Sequence, residues 1–349
     1  MMCSECEALP SLGHPDNILM VRLPTRHTRD KLLALARAQD VAMEPMDDPL
    51  CLHLRLSQTE LARMMLGASE VLSREEQLHG RSLLLPAGRH PETTDLLAAI
   101  PLRQLIAGIH GSWLVQLLEE ERYFSVLQPI FHADGSVFGY EALLRGRTEA
   151  GAMLSPGPLF SVAEEAGMLF ALDQKARRSA IATMARRPRD GARLFVNFNP
   201  AAIYDPSYCL QSTQELVRHL GLSPADIVFE VTETTKVHDH GHLRSILDYY
   251  RAAGFRVALD DIGAGFSGLN LLQALHPDFM KIDMALIRGI DGDAYKQSIV
   301  RHLIGIARDG GAVVIGEGVE TEAERDWLVA AGIDLMQGFL LGRPEPVPG

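Results

Sequence analysis

The sequence predicts an α/β protein in two parts, a small α/β domain over residues 1–114 and a (β/α)8 barrel over residues 115–349. Three observations support this fold class. A chain of 349 residues has room for one large domain and a smaller one. The second part alternates apolar, β-branched strands with amphipathic helices, which is typical of a parallel sheet covered by helices. Those strands lead into polar residues, which a barrel gathers at one rim.

The first part contains short, weakly patterned elements. Strands are predicted at residues 18–23, 50–56 and 82–86, and helices at residues 30–39 and 58–68. A longer helical pattern covers about residues 93–121 and breaks near Pro101 and Gly111. No haem, flavin or nucleotide fingerprint is recognisable in this part, so the sequence assigns it no ligand.

The second part repeats one arrangement from strand to strand. Strands are predicted at residues 194–199, 227–233, 256–263, 279–283, 312–318 and 335–340. Each carries a polar or charged residue toward its end: Asn197, Glu230, the pair Asp260 and Asp261, Lys281, Glu317 and Gln337. A single acid at a strand end is usually solvated or caps the next helix. The repetition on strand after strand instead predicts a shared site at the mouth of a barrel.

Carboxylates grouped with an asparagine are hard oxygen ligands, which suit Mg²⁺ or Mn²⁺ better than zinc. The adjacent Asp260 and Asp261 can each face a different ion, and such two-metal sites hydrolyse phosphoesters. The net charge of −12 argues against broad electrostatic binding to DNA or RNA. An anionic substrate therefore needs bound cations.

Composition also sets the expected compartment. The N-terminus lacks the charge and apolar run of a signal peptide, and no apolar run reaches the length of a membrane span. A cytoplasmic protein with reduced thiols is expected. Cys3 and Cys6 have the spacing of half a zinc site or a redox pair, although incidental thiols in a mobile tail are favoured. His238, His240 and His242 are interpreted as a solvated loop or helix start, in preference to a metal site.

The residues from about 115 to 347 resemble the EAL domain, a family of bacterial cyclic di-GMP phosphodiesterases. The resemblance rests on many motifs in order: QPI (128–130), YEALLRG (140–146), FVNFNP (195–200), FEVTE (229–233), LDDIGAGFSGL (259–269), PDFMKID (277–283), GEGVET (316–321) and QGFLLGRP (337–344). The tripeptide alone is weak, since residues 7–9 also read Glu-Ala-Leu. Glu7 has no strand or arginine beside it, whereas Glu141 closes a predicted strand and is followed by Leu144 and Arg145.

The resemblance implies roles for particular residues. Glu141, Asn197, Glu230 and Asp260 would hold the first of two Mg²⁺ or Mn²⁺ ions. Asp261 would help to hold the second, with Glu317 as a further ligand or as a base that orients the attacking water. Lys281 would contact that water or the phosphate, and Gln337 would complete the site. Gln128, Leu144 and Arg145 would contact the substrate, and Glu233 would anchor the DDIGAGFSG loop.

The implied reaction is hydrolysis of cyclic di-GMP to linear pGpG by a TIM-like barrel whose first strand is antiparallel. Family members commonly pair through the barrel, so a homodimer is expected. Residues 1–114 would then serve signal input or dimerisation with an unknown partner. Two departures, Ile262 for an aromatic residue and Asn199 for a serine, remove no ligand. A catalytically weak receptor or scaffold, and a barrel enzyme with other metal chemistry, are the alternatives.

Overall fold

The computed structural model describes residue 9 and residues 13–203, 205–232, 240–265 and 268–347. Contacts between Cα atoms divide these residues into two compact units. The N-terminal unit comprises residues 13–122 and Gly146–Leu172, and the barrel unit comprises Tyr123–Arg145 and residues 173–347. The division predicted between residues 114 and 115 stays a prediction.

The N-terminal unit is a five-stranded antiparallel sheet with helices packed against it. The sheet order is β2-β3-β1-β4-β5. Its elements are β1 Asp16–Arg22, α1 Arg26–Ala38, β2 Ala42–Glu44, β3 Cys51–Ser57, α2 Gln58–Val71, α3 Arg74–His79, β4 Arg81–Pro86, α4 Thr93–Leu97, β5 Ile100–Pro101, α5 Leu102–His110 and α6 Ser112–Glu119. The predicted strands and helices of this part are confirmed, as are the helix breaks near Pro101 and Gly111.

Local sequence explains how these elements begin and what they bury. Ser57 and Glu60 form a capping box at the start of α2, and Ser73 and Glu76 do the same for α3. Alternate residues of β1 and β3, such as Leu19 and Leu54, point inward and pack on apolar residues of the helices. The unit therefore has a hydrophobic core of its own.

The rest of the chain supplies the barrel strands and the helices that follow them, except for Gly146–Leu172, which belongs to the N-terminal unit. In order, the elements are β6 Tyr123–His132, β7 Val137–Arg147, β8 Met153–Leu154, α7 Pro156–Glu165, α8 Leu169–Ala185, β9 Arg193–Asn197, α9 Pro206–Cys209, α10 Gln211–His219, β10 Ile227–Thr232, α11 His240–Ala252, β11 Arg256–Ile262, α12 Gly268–Leu275, β12 Phe279–Ile282, α13 Met284–Ile287, α14 Ala294–Asp309, β13 Val313–Gly316, α15 Glu322–Ala331, β14 Leu335–Met336 and β15 Glu345–Pro346.

Eight strands close into a barrel, so the predicted fold class is confirmed. The order is β6-β14-β13-β12-β11-β10-β9-β7, and a pairing between β6 and β7 closes the ring. β7 and β9 to β14 run parallel, while β6 is antiparallel to β14. The antiparallel first strand implied by the family resemblance is therefore present.

One layer of apolar side chains fills the barrel interior: Ile130, Phe195, Val228, Ala258, Phe279, Ile315 and Leu335. Side chains two residues apart on a strand point to the same face. On the parallel strands, the residue two positions later is in every case a predicted site residue, from Asn197 after Phe195 to Gln337 after Leu335. On the antiparallel β6, the equivalent residue is Gln128, two positions before Ile130. The apolar layer thus aims the next layer of side chains at the mouth of the barrel.

Across the described ranges, we find no helix that combines the length and the hydropathy required to cross a membrane.

Candidate metal centre

The layer of polar side chains next to the apolar layer brings eight of the predicted site residues together. They are Glu141 of β7, Asn197 of β9, Glu230 of β10, Asp260 and Asp261 of β11, Lys281 of β12, Glu317 after β13 and Gln337 after β14. Register contributes directly, because Glu230 lies beside Asn197 in the pairing of β10 with β9. Groups spread over about two hundred residues of sequence therefore meet at one end of the barrel.

Two amide side chains fix the carboxylate of Glu141. Asn197 Nδ2 donates a hydrogen bond to Glu141 Oε1 at 2.9 Å, and Gln337 Nε2 donates to Oε2 at 2.7 Å. Each oxygen thus has one donor, and each can still offer a lone pair to another partner. Asn197 presents its nitrogen to Glu141, so a half-turn of the amide about its terminal bond would present the oxygen to a cation.

Lys281 stands at the centre of the acidic groups. Its Nζ lies 2.8 Å from Glu230 Oε1, 2.7 Å from Glu317 Oε1, 3.2 Å from Asp260 Oδ1 and 3.5 Å from Glu141 Oε2. The lysine and Glu230 are both fully buried. One ammonium group therefore partly neutralises four carboxylates in a space from which water is largely excluded.

Electrostatics in this cluster shift several pKa values. Burial raises the pKa of Glu230 well above its usual range, with Glu141 and Asp260 adding to the effect and Lys281 opposing it. Burial and Asp260 raise the pKa of Glu317 in the same direction. Burial alone would lower the pKa of Lys281, but Asp260 and the three glutamates outweigh it and raise that pKa well above its usual value. Burial and Asp260 raise the pKa of Asp261 to about 6. The cluster is short of positive charge.

The acidic side chains form two overlapping groups, each of which could hold a metal ion. Glu141, Glu230 and Asp260 offer oxygens within 4.8 Å of one another, and so do Asp260, Asp261 and Glu317. Lys281 Nζ lies 2.8 Å from Glu230 Oε1, whereas the buried Glu230 Oε2 has no hydrogen-bond partner among the described residues. Buried polar atoms without partners are rare and call for an explanation, such as a missing ion. Asp260, shared by both groups, would bridge the two positions.

A backbone irregularity separates the two adjacent aspartates. The pairing of β11 with β12 shifts register between Leu259 and Ile262, and Asp261 adopts a positive φ of 58°. The Asp261 N–H donates to Asp260 Oδ1 at 2.9 Å. Non-glycine residues rarely adopt this conformation, and such strain is concentrated at functional sites. The bulge lets both carboxylates reach the cluster instead of alternating across the sheet.

The remaining predicted residues lie outside the hydrogen-bonded cluster. Gln128 is buried and donates to the Gly342 carbonyl at 3.2 Å, which ties β6 to the segment after β14. Leu144 is buried and its carbonyl accepts a hydrogen bond from Arg145 Nη1 at 2.8 Å. Burial lowers the pKa of Arg145, and the nearby Glu141 opposes this.

One detail predicted from the sequence was wrong. Glu141 does not close its strand, because it is the fifth of eleven residues in β7. β7 continues to Arg147, where its last residues pair with β8. Several sequence predictions, on Glu233, Cys3, Cys6, Glu7 and His238, lie outside the described residues.

Sequence reasoning assigned no role to an aromatic and cationic pair that follows Gln337. The Arg343 guanidinium lies 4.4 Å from the centroid of the Phe339 ring, and Phe339 is 48% exposed. An exposed ring face beside a guanidinium can stack on a base and attract a phosphate. Both residues belong to the QGFLLGRP motif, so the signal was in the sequence, but composition alone gave no reason to single them out.

Comparison with known proteins gives consistent matches. The sequence model of a family described as EAL domain matches residues 112–344. The chain is 30% identical over 236 residues to the cyclic di-GMP phosphodiesterase PdeF of Escherichia coli K12, a match that covers 67% of this chain and 31% of PdeF. The chain spans about a third of the length of three of the curated relatives it matches, between 27% and 34%.

Two solved structures are similar in fold and sequence. A standalone EAL protein from Vibrio cholerae O395, solved in a c-di-GMP-bound form, has a TM-score of 0.56 and 37% identity, with 62% of this chain and 90% of that chain covered. Klebsiella pneumoniae BlrP1, solved as a manganese and cy-diGMP complex, has a TM-score of 0.59 and 26% identity. The BlrP1 match covers 95% of this chain and 96% of that chain, so it extends beyond the barrel.

Proposed function

This chain belongs to the EAL domain family, and from that membership we propose that it hydrolyses cyclic di-GMP to linear pGpG in a metal-dependent reaction. The observation that carries the proposal is the pair of overlapping carboxylate groups at the mouth of the barrel, joined through Asp260. The cyclic di-GMP phosphodiesterase PdeF and the cyclic di-GMP complexes of the two structural neighbours support the same substrate.

The chain's own residues divide into ligands and supporting groups. Glu141, Asn197, Glu230 and Asp260 would hold one Mg²⁺ or Mn²⁺ ion, and Asp260, Asp261 and Glu317 would hold the second. The manganese complex of BlrP1 supports this type of metal. Bound divalent ions supply an activated water at neutral pH and stabilise charge on the phosphate oxygens. Gln337 would keep the Glu141 carboxylate turned toward the cluster through its 2.7 Å hydrogen bond.

Lys281 and Glu317 are close enough to each other to contact the same water or phosphate oxygen. Their 2.7 Å contact pairs a cation with the most exposed carboxylate of the four around Lys281. Lys281 would hold a phosphate oxygen or orient the water, and Glu317 would accept a hydrogen bond from that water. Arg145, half-buried near Glu141, would bind a phosphate through its planar guanidinium. Gln128 and Leu144 would line the same mouth.

The test is incubation of the purified full chain with cyclic di-GMP and Mg²⁺ or Mn²⁺, with pGpG followed by chromatography. Glu141→Ala should abolish product, since it removes one ligand and strands two amide donors. Glu320→Gln is the matched control. Glu320 is an exposed acid three residues after Glu317, and it pairs with Arg288 and not with the cluster. Tight binding without product in the parent chain would contradict the phosphodiesterase and support a receptor.

We also propose that the N-terminal unit regulates the barrel and that the chain forms a homodimer. Within that unit, Arg103 of α5 pairs with Glu165 of α7 at 2.7 Å, so α7 is tied to helices that precede the barrel. Arg103→Glu should change the hydrolysis rate or the oligomeric state, and the charge swap with Glu165→Arg should restore both. Unchanged rate and sedimentation in both variants would contradict this proposal.

A further inference from the structure

A buried ion pair in α8 lies outside the carboxylate cluster. Asp173 and Arg177 are one helical turn apart, and Arg177 Nε lies 2.9 Å from Asp173 Oδ2. Both residues are almost completely buried, at 2% and 0% exposure. Burying two charges costs several kcal/mol, and their attraction often no more than offsets this cost. Apolar residues of similar size would serve stability as well, so the pair calls for another explanation.

The second oxygen of Asp173 leads to the metal centre. Asp173 Oδ1 accepts a hydrogen bond from the backbone N–H of Asn199 at 2.8 Å. Asn199 is two residues beyond Asn197, whose amide donates to Glu141. The residue between them is held as well, because the Phe198 N–H donates to the Glu230 carbonyl at 3.2 Å. Hydrogen bonds on two successive residues therefore fix the direction in which the chain leaves β9.

The pair is itself held by the helices around it. Arg177 Nη1 donates to Thr213 Oγ1 of α10 at 3.2 Å. The Phe198 ring packs edge-on against Tyr250 of α11, with ring centroids 5.3 Å apart. Asn199 Oδ1 accepts from the Ala201 N–H at 3.0 Å and so caps the short 3-10 helix Pro200–Ala202. The segment after Asn197 is thus held by α8 and α11, while α10 holds Arg177.

We propose that Asp173, oriented by Arg177, is a positioning residue that sets where the Asn197 amide lies in the metal centre. The inference rests on the proposed metal-dependent function. Asn197 is a short side chain, so its reach depends on the backbone that carries it. Without the hydrogen bond from the Asn199 N–H to Asp173, the backbone after Asn197 is no longer tied to α8. Groups that orient metal ligands typically change metal affinity by about 10- to 100-fold when they are removed.

Two variants separate positioning from stability. The double variant D173L/R177M removes both charges and the acceptor for Asn199 while keeping the volume, and such replacements are often neutral or stabilising. Asp173→Asn keeps an oxygen for the Asn199 N–H but leaves Arg177 buried without its counter-charge. We expect D173L/R177M to be stable with a weakened metal centre, and D173N to be less stable with affinity for metal close to that of the parent.

The matched control is R244M/D248L, which removes an exposed pair of the same spacing in α11. The measurement is a titration of metal-free full chain with Mn²⁺, with free Mn²⁺ followed by electron paramagnetic resonance. Hydrogen exchange at Asn199 is measured in parallel. The expected result is Mn²⁺ affinity about 10- to 100-fold weaker and faster exchange in D173L/R177M, with the control unchanged.

Mn²⁺ affinity of D173L/R177M within about twofold of the parent, well below the loss expected for a group that orients a ligand, would overturn the proposal. So would a parent chain that binds no Mn²⁺. If Mn²⁺ affinity falls as expected but the parent chain yields no pGpG, the hydrolysis proposal fails and the positioning role stands.

Discussion

Lys281 is the residue on which the acidic cluster depends. Its Nζ lies within 3.5 Å of oxygens from Glu141, Glu230, Asp260 and Glu317. Like charges at this spacing repel one another strongly when they are shielded from water. The lysine therefore acts as an internal counter-ion for the metal-free barrel.

Removal of that counter-ion should destabilise the metal-free protein. Lys281→Met leaves the buried carboxylates without a cation, at a cost of about 3–5 kcal/mol in the free energy of unfolding. Mn²⁺ should restore part of the loss, because it supplies the missing charge. Urea denaturation in EDTA and in Mn²⁺ measures both effects. Lys296→Met is the control, since Lys296 Nζ donates to the Arg288 carbonyl at an exposed position. Equal stability of the two variants in EDTA would contradict the expectation.

A neutral replacement of Glu230 should not destabilise the metal-free protein, in contrast to Lys281→Met. Glu230→Gln keeps the shape but removes one of the four charges around Lys281. We expect the metal-free variant to be as stable as the parent or up to about 1 kcal/mol more stable, as is common when a strained site is relaxed. The stabilisation that Mn²⁺ gives to the parent should be lost. Melting curves with and without Mn²⁺ test this, and a full Mn²⁺-induced shift in the variant would show that Glu230 is not a ligand.

The sequence identified most of the cluster but not what supports it. Glu230 and Asp260 could be singled out because each follows an apolar strand pattern, and Glu141 because it stands in the YEALLRG motif. Asp173 could not, because on a helix an Asp and an Arg four residues apart look the same whether exposed or buried. Its partner, the Asn199 N–H, is 26 residues away and is backbone, which carries no side-chain signal.

At the scale of elements, the period of two along the strands carries the prediction. Phe195 and Asn197, or Phe279 and Lys281, show that the apolar layer and the site layer are adjacent on one face. The bulge at Leu259 to Ile262 and the extension of β7 beyond Glu141 could not be read from this pattern. Both depend on hydrogen bonds with neighbouring strands, which local sequence does not specify.

The corner after α5 depends on the absence of a side chain at Gly111. A Cβ atom there would lie 2.5 Å from Val162 Cγ1 of α7 and 2.9 Å from the Ala107 carbonyl. Gly111→Ala should therefore cost about 1–3 kcal/mol, the usual penalty for overpacking. Val162→Ala in the same chain should recover part of this loss.

Gly108, in α5 itself, has open space where a Cβ atom would lie, so Gly108→Ala should stabilise by about 0.5–1 kcal/mol. Urea denaturation compares all three variants, and equal effects at both glycines would contradict the steric explanation.

Glu76 gives the N-terminal unit a defined pH dependence. The Ser73 N–H, with Lys31 and Thr28, lowers the pKa of Glu76 from 4.5 to about 2. Because the folded pKa is depressed, this stabilisation is complete above about pH 4.5 and is lost as the pH falls toward 2. Glu76→Gln should cost about 1 kcal/mol near pH 7 and flatten the decline in stability between about pH 4.5 and 2. Hydrogen exchange of α3 across this range measures it, and parallel pH profiles for parent and variant would contradict it.

At the scale of the molecule, the sequence predicted a barrel and a smaller part but not which residues group together. Gly146–Leu172 lies within the span of the EAL family match, yet its contacts place it with residues 13–122. Within that unit, Gly111 approaches Val162 and Arg103 pairs with Glu165. Such long-range contacts leave no periodic trace, so the boundary predicted between residues 114 and 115 followed only the change in local pattern.

The end of the barrel should be indispensable to its closure. A chain that stops after Asp334 lacks β14 and Gln337, so β13 and β6 lose the strand between them. We expect the barrel of this variant to lose cooperative unfolding, which the parent chain should keep. Circular dichroism melting of both chains tests this, and an unchanged transition in the shorter chain would contradict it.

The closed ring of strands also affects the order in which parts of the protein fold. Gln337 meets Glu141 across 196 residues, and Gln128 meets Gly342 across 214. Contacts between residues so distant in sequence form slowly, because the chain loses the entropy of closing a long loop before the contact stabilises the fold. A chain emerging from the ribosome cannot complete the acidic cluster until β14 and Gln337 have been made. If the cluster binds Mn²⁺ as proposed, we expect Mn²⁺ binding to recover in refolding experiments after most of the helical signal has returned.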